Sequence, residues 1–144
     1  MAVGEATIKD ITFLNVGNAN LLPGQVVVMD ITNSTGGPSV KLPAGALAEP
    51  IGVIVDKTKL NPTDATVMAG QGIGVRMWGI AFCLTAGVIA IDDYVSIANT
   101  SGQVQTQAKA TAGATPKAIV GRALTASSGA GQSVMVALMI GGQY

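Results

Sequence analysis

The chain has no histidine. That removes the usual general base, the usual partner of a serine or cysteine nucleophile and the commonest metal ligand. Cysteine occurs once, as Cys83 between Phe82 and Leu84. One cysteine forms no internal disulfide and no cysteine-rich metal site, and these neighbours mark it as a small buried hydrophobe. Aromatic residues make up 3% of the 144 residues and charged residues 11%, where an ordinary soluble protein carries about 25% charged. The eight basic residues balance the eight acidic ones, so no broad positive field is available to hold a phosphate backbone. Nucleic acid is therefore not an expected partner.

Long apolar runs are also missing. Residues 77–91 are uncharged but interrupted by Gly79, Thr85 and Gly87, and they fall short of the roughly 18 residues a membrane span needs. The first ten residues, MAVGEATIKD, show no basic region followed by an apolar stretch, so the chain reads as soluble and unexported. With 49% hydrophobic residues and no net charge, it is poorly protected against association. Some apolar surface is expected to be covered by copies of the chain or by a partner.

Short runs rich in Val and Ile, bounded by Gly, Pro, Asn and Asp, recur throughout, and helical periodicity is hard to find. The chain reads as all-β. Strands are expected at residues 25–32, 39–42, 51–55, 72–78, 80–84, 94–98, 104–107, 119–124 and 133–140. The linking stretches NSTGGP, KLNPTDA, NTSGQ and SSGAGQ are turn or loop compositions.

The phrase AGQGIGVRMWG is echoed by AGQSVMVALMIG near the other end of the sequence. LPGQVVVMD likewise echoes IDDYVSIAN, placing Val26 with Val95 and the Pro23-Gly24 turn with Asp92-Asp93, and IGV at Ile51 echoes VGR at Val120. Two related β modules, residues 21–78 and 84–140, are expected to share one core as a single-domain barrel; short β patterns also match by chance. Residues 1–20 stand outside this scheme. They are either an extra strand of the body or, slightly preferred, an extended N-terminal arm that pairs elsewhere.

Few residues invite chemistry. Asp92-Asp93 is the sole adjacent carboxylate pair, and a turn explains it better than calcium, which needs more oxygen ligands close by. Neither AGQGIG nor SSGAGQ has the spacing or the lysine of a phosphate loop. No catalytic residue, metal site, cofactor or small-molecule substrate is expected. Arg76 and Arg122 each sit among apolar neighbours in an expected strand. Each is either an outward arginine whose stem covers apolar surface or half of a charge pair between subunits. Trp78, the single tryptophan, is either a central packing residue or an interface anchor.

The succession PGQVVVMD, PIGVIVDKT, GQGIGVRMWGIAFCLTAG, IDDYVSIANTSGQVQTQ and AIVGRALTASSGAGQSVMVAL resembles the small capsid decoration, or cement, proteins of tailed bacteriophages. The stretches Asp93, Tyr94, Val95 and Gly121, Arg122, Ala123 carry the order of that family's turn-and-strand motifs. The resemblance implies a β-tulip-like or barrel protein on the exterior of the virion capsid. It would be made in the host cytoplasm, form a homotrimer, and bridge major capsid subunits of the expanded shell against internal DNA pressure. Ile8, Ile11, Phe13 and Leu14 of the arm, with Arg76, Trp78 and Arg122, are the candidate capsid or inter-subunit contacts. A head-fibre or tail-associated virion subunit, and a small-molecule-binding β-barrel, are the alternatives.

Overall fold

The computed structural model describes residues 10–15, 20–32, 37–57 and 72–144, and among them there are strands and no helix. Strands β1 (Asp10–Asn15), β2 (Val26–Met29), β3 (Ser39–Lys41), β4 (Gly52–Lys57) and β5 (Gly72–Arg76) close into a barrel in the order β1-β3-β2-β4-β5. Strands β6 (Ile80–Leu84), β8 (Tyr94–Ile97), β9 (Val104–Thr106), β10 (Gly121–Ala123) and β12 (Ser133–Leu138) form a second five-stranded sheet in the order β6-β12-β10-β8-β9. A short ribbon joins β7 (Val88–Ile89) to β11 (Ser127–Ser128). All nine expected strands are present. Their inward positions are the alternating Val and Ile residues, as in β5, where Ile73 and Val75 are fully buried between half-buried Gly72, Gly74 and Arg76.

The two sheets have the same wiring. β2 pairs with β4 and β4 with β5, just as β8 pairs with β10 and β10 with β12. β5 returns to β1 and β12 to β6, both antiparallel. The parallel contact Asn15↔Val40 closes the first barrel, and the parallel bridge Thr85↔Val104 stands at the same place in the second sheet. The duplication is therefore of a whole five-stranded unit.

Backbone hydrogen bonds place the two copies residue against residue. Gly24 N–H donates to Ile54 O at 2.8 Å and Ile54 N–H to Gln25 O at 3.0 Å; Asp92 N–H donates to Ala123 O at 2.8 Å and Ala123 N–H to Asp93 O at 2.8 Å. Gly24 thus matches Asp92, one residue away from the match expected between Pro23-Gly24 and Asp92-Asp93. Both residues have a left-handed backbone, φ 91° and 81°, which glycine adopts freely and aspartate tolerates better than most. In each turn the fourth residue's side chain accepts from the first residue's N–H: Gln25 Oε1 from Leu22 at 2.7 Å, and Asp93 Oδ2 from Ala90 at 2.9 Å. Asp92-Asp93 is a turn, as expected.

Residues 10–15 are not an arm. β1 lies between β3 and β5, with Phe13 buried at 5% exposure, Leu14 half-buried and Ile11 at 38% exposure. Its counterpart is β6: Phe13 stands where Cys83 stands, and buried Asn15 where buried Thr85 stands. The first unit consequently starts at β1 rather than at residue 21, and the second at β6 rather than at residue 84. Ile8 and the rest of residues 1–9 lie outside the described residues, as do residues 58–71.

Two hydrophobic clusters fill the units; one lies wholly within the first unit, and the other crosses the boundary. Val26 and Val53 of the first unit belong to the core that holds Cys83, Val95, Ile97, Val104, Val134 and Val136. The turn of the first unit also enters the seam of the second. Leu14 N–H donates directly to Pro38 O at 3.0 Å in the first barrel, whereas Leu84 N–H donates to Gly24 O at 2.9 Å and Val26 N–H to Gly102 O at 2.8 Å. Gln25 Nε2 adds a bond to Ser101 O at 3.0 Å. The chain is one packed body made of a closed barrel and a second five-stranded unit with the same wiring.

Candidate functional site

Cys83 faces the core of the second unit and is fully buried. Desolvation pushes its thiol up to about 12, so no thiolate nucleophile is available near neutral pH. Among the described residues no three His, Cys, Asp or Glu side chains gather as a metal site. No helix of the described residues is long and apolar enough to cross a membrane. What the surface does offer is a set of ion pairs and an apolar sheet face.

Arg76 leaves the outer face of β5 and grips Asp10 on β1 through two bonds, Nε to Oδ1 at 2.8 Å and Nη2 to Oδ2 at 3.1 Å. Its third donor, Nη1, reaches Ile80 O at 2.7 Å and ties the first unit to β6. Arg122, on the outer face of β10, pairs with Asp92 in the turn before β8. The guanidinium's hydrogen bond holds the Asp92 carboxyl below the usual carboxylate value, and the same bond raises Arg122. Arg122 also lies 5.9 Å from the centre of the Tyr94 ring, which stacks on Tyr144 at 3.9 Å. Both arginines therefore have a charge partner inside the chain. The cause is topological: β1 and the turn before β8 put a carboxylate beside each guanidinium.

Trp78 follows β5, belongs to neither hydrophobic cluster and is 46% exposed. The central-packing reading of this residue is set aside by its exposure. Ile11, Phe13, Leu14 and Arg76 lie together on the β1–β5 pair, and Arg122 sits on the second unit.

An apolar outward sheet face was not singled out in the sequence. On β6, Ile80 and Phe82 point out, at 43% and 58% exposure, while Ala81 and Cys83 point in. Phe82 pairs across to Met135 on β12, and Ile80 to Ala137. Met135 is bonded in turn to Leu124, which is 40% exposed, through Leu124 N–H to Met135 O at 2.7 Å. A cleft of about 310 Å³ beside Phe82 is walled by Pro23, Val55, Arg76 and Ser133. The signal was present in the stretch IAFCL, which is apolar at both parities; a strand with one face in water alternates instead.

At the places of Ile80, Phe82, Met135 and Ala137 the first unit's outer face is polar or bare, while Val55, at the place of Leu124, is apolar and packs against the second core. Asp10 pairs with Arg76 where Ile80 pairs with Ala137, and Thr12 pairs with Gly74 where Phe82 pairs with Met135. One backbone therefore carries two different outer faces in one chain.

No protein-family model matches the sequence, and no curated protein matches it. Among solved structures, the chain is similar to the N base of head fibre gp8.5 of bacteriophage phi29, with a TM-score of 0.61 and 15% identity. The likeness covers 91% of this chain and 95% of that one. The two share a fold. At that identity the likeness is one of backbone architecture, spanning both units of this chain, and it leaves the surface chemistry of each protein its own.

Proposed function

We propose that the protein is a non-enzymatic structural subunit of a tailed-phage virion, mounted on the capsid exterior. The single observation that supports this most is the fold likeness over nearly the full length of both chains to a phage head-fibre base. The order of motifs resembling capsid decoration proteins supports the same reading. In this reading the chain acts as a homotrimeric cement protein that contacts neighbouring major capsid subunits. A ligand that binds only the expanded lattice stabilises it by mass action, by about 2.7 kcal/mol per site at a free concentration of 100 times Kd. Trimer avidity multiplies the hold of individually weak contacts. A second reading, the base of a head fibre, is favoured by the fold likeness to the phi29 head-fibre base.

Mixing the purified protein with undecorated expanded and unexpanded capsids tests both. Co-sedimentation with expanded shells alone is the expected result, and absence of binding to either shell would sink the virion reading. Heating the loaded shells separates the two roles. A cement protein raises the temperature at which the shell releases DNA, whereas a fibre base binds without raising it.

A further inference from the structure

From the apolar outer face of the second unit, we infer that this face, built on Ile80, Phe82, Leu124, Met135 and Ala137, is where copies of this chain pack against one another around a symmetry axis. The inference deepens the virion-subunit reading and rests on it for the expectation of a homo-oligomer.

Three observations carry it. The first is the internal comparison. Two units with the same strand wiring differ on equivalent outward positions, polar in the first at Asp10, Thr12 and Arg76, and apolar in the second at Ile80, Phe82 and Ala137. The fold thus tolerates polar residues at these three positions, so apolar side chains at Ile80, Phe82 and Ala137 are not required by the strand wiring. Leaving Phe82 58% and Ile80 43% exposed costs solubility that burial against a partner recovers.

The second observation is charge. The face is bordered by Arg76 with Asp10 and by Arg122 with Asp92, each pair closed within the chain. A heterologous partner is usually selected by complementary charge left open on the surface. Here both signs are already matched at the rim, and the chain as a whole carries no net charge. A patch near a rotation axis meets its own copies, and this one brings no unpaired like charges together when it does so.

The third is shape. The cleft of about 310 Å³ beside Phe82 adds a concavity next to the projecting aromatic ring. Anchors of this kind, an aromatic side chain beside a recess, dominate the energy of protein interfaces.

Sedimentation velocity of the full chain at tens of micromolar tests the inference, because it needs no capsid. The wild type is expected to sediment as an oligomer. The triple variant Ile80→Asp, Phe82→Thr and Ala137→Arg transplants the first unit's outer face onto the second and rebuilds its ion pair. It is expected to keep the wild-type circular dichroism spectrum and to sediment as a single chain. Ile31→Glu, at an 88% exposed residue outside this face, is expected to leave the oligomer intact. Should the triple variant not fold, Leu124→Lys alone is read in its place, with the same loss of mass expected. A monomeric wild type, or a folded face variant with unchanged mass, overturns the inference. A monomeric wild type that still binds expanded capsids, and loses them with the face variant, assigns the face to the shell instead. In that case the virion reading stands while this one falls; an oligomer without capsid affinity separates the two the other way.

Discussion

Gly52 and Gly121 occupy the same place in the two units and meet the same surroundings. A Cβ on Gly52 would strike a methyl of Val75 and the carbonyl of Arg76; a Cβ on Gly121 would strike a methyl of Val136 and the carbonyl of Ala137. The obstacle in each case includes backbone of the neighbouring strand, which cannot turn aside as a side chain can. Gly121→Ala is therefore expected at the upper end of the overpacking range, about 3 kcal/mol, lowering Tm by roughly 10 °C for a chain of this size. Gly87→Ala is the control, since nothing lies within 4 Å of its Cβ position. Its expected effect is within about 0.5 kcal/mol. Thermal melts of the two variants give the comparison, and equal shifts would remove the close-approach explanation. The pairs Arg76 with Asp10 and Arg122 with Asp92 belong to the same scale. Their residue types were legible, but a guanidinium's partner is set by which loop or strand lies alongside it.

Among the elements, β1 is the one whose role changed. Ile8, Ile11, Phe13 and Leu14 read as an arm because DITFLN has no obvious echo in the second half of the sequence. Its counterpart is IAFCLT, in which Phe13 is replaced by Cys83 and Asn15 by Thr85. Only Leu14 with Leu84 and the alternation of inward and outward positions are shared, and a strand of six residues with that pattern is too common to be recognised as a copy. Phe13→Ala distinguishes strand from arm by its energetics. Emptying a buried aromatic site costs about 3–5 kcal/mol, so a clear fall in the urea midpoint with an unchanged slope is expected. An arm residue would leave the midpoint where it was. The slip of one residue in matching Pro23-Gly24 has a similar origin. Turn pairs were matched by composition, whereas the hydrogen-bond ladder aligns the left-handed residues, Gly24 and Asp92.

Two five-stranded units in one chain invite the idea of two domains, but their interpenetration makes them one cooperative unit. The Pro23-Gly24-Gln25 turn bonds into the seam between Leu84 and Gly102, and Val26 and Val53 sit in the second core. The second unit does not complete its core without the first, and backbone bonds such as Leu84 N–H to Gly24 O and Val26 N–H to Gly102 O need both. Calorimetry is therefore expected to show a single transition whose van't Hoff and calorimetric enthalpies agree. Two resolved transitions would mean that the seam is not coupled to the cores. Beyond cooperativity, the β1–β5 pair carries polar residues outward at Asp10, Thr12 and Arg76 where the β6–β12 pair carries Ile80, Phe82 and Ala137, and that asymmetry directs the oligomer test.

Alternation of Val and Ile with turn residues was enough to place nine strands, the all-β class and the internal echo, because these signals are local and repeat within a few residues of each other. The absence of histidine was enough to argue against histidine chemistry. Closure of β1 against β5 and of Thr85 against Val104, the entry of one unit's turn into the other's seam, and the gathering of Phe82, Met135 and Leu124 on one face came only from the folded chain. Each depends on pairings between strands far apart in sequence, and a period of two records which residues share a side of a strand without recording which strand lies next to it.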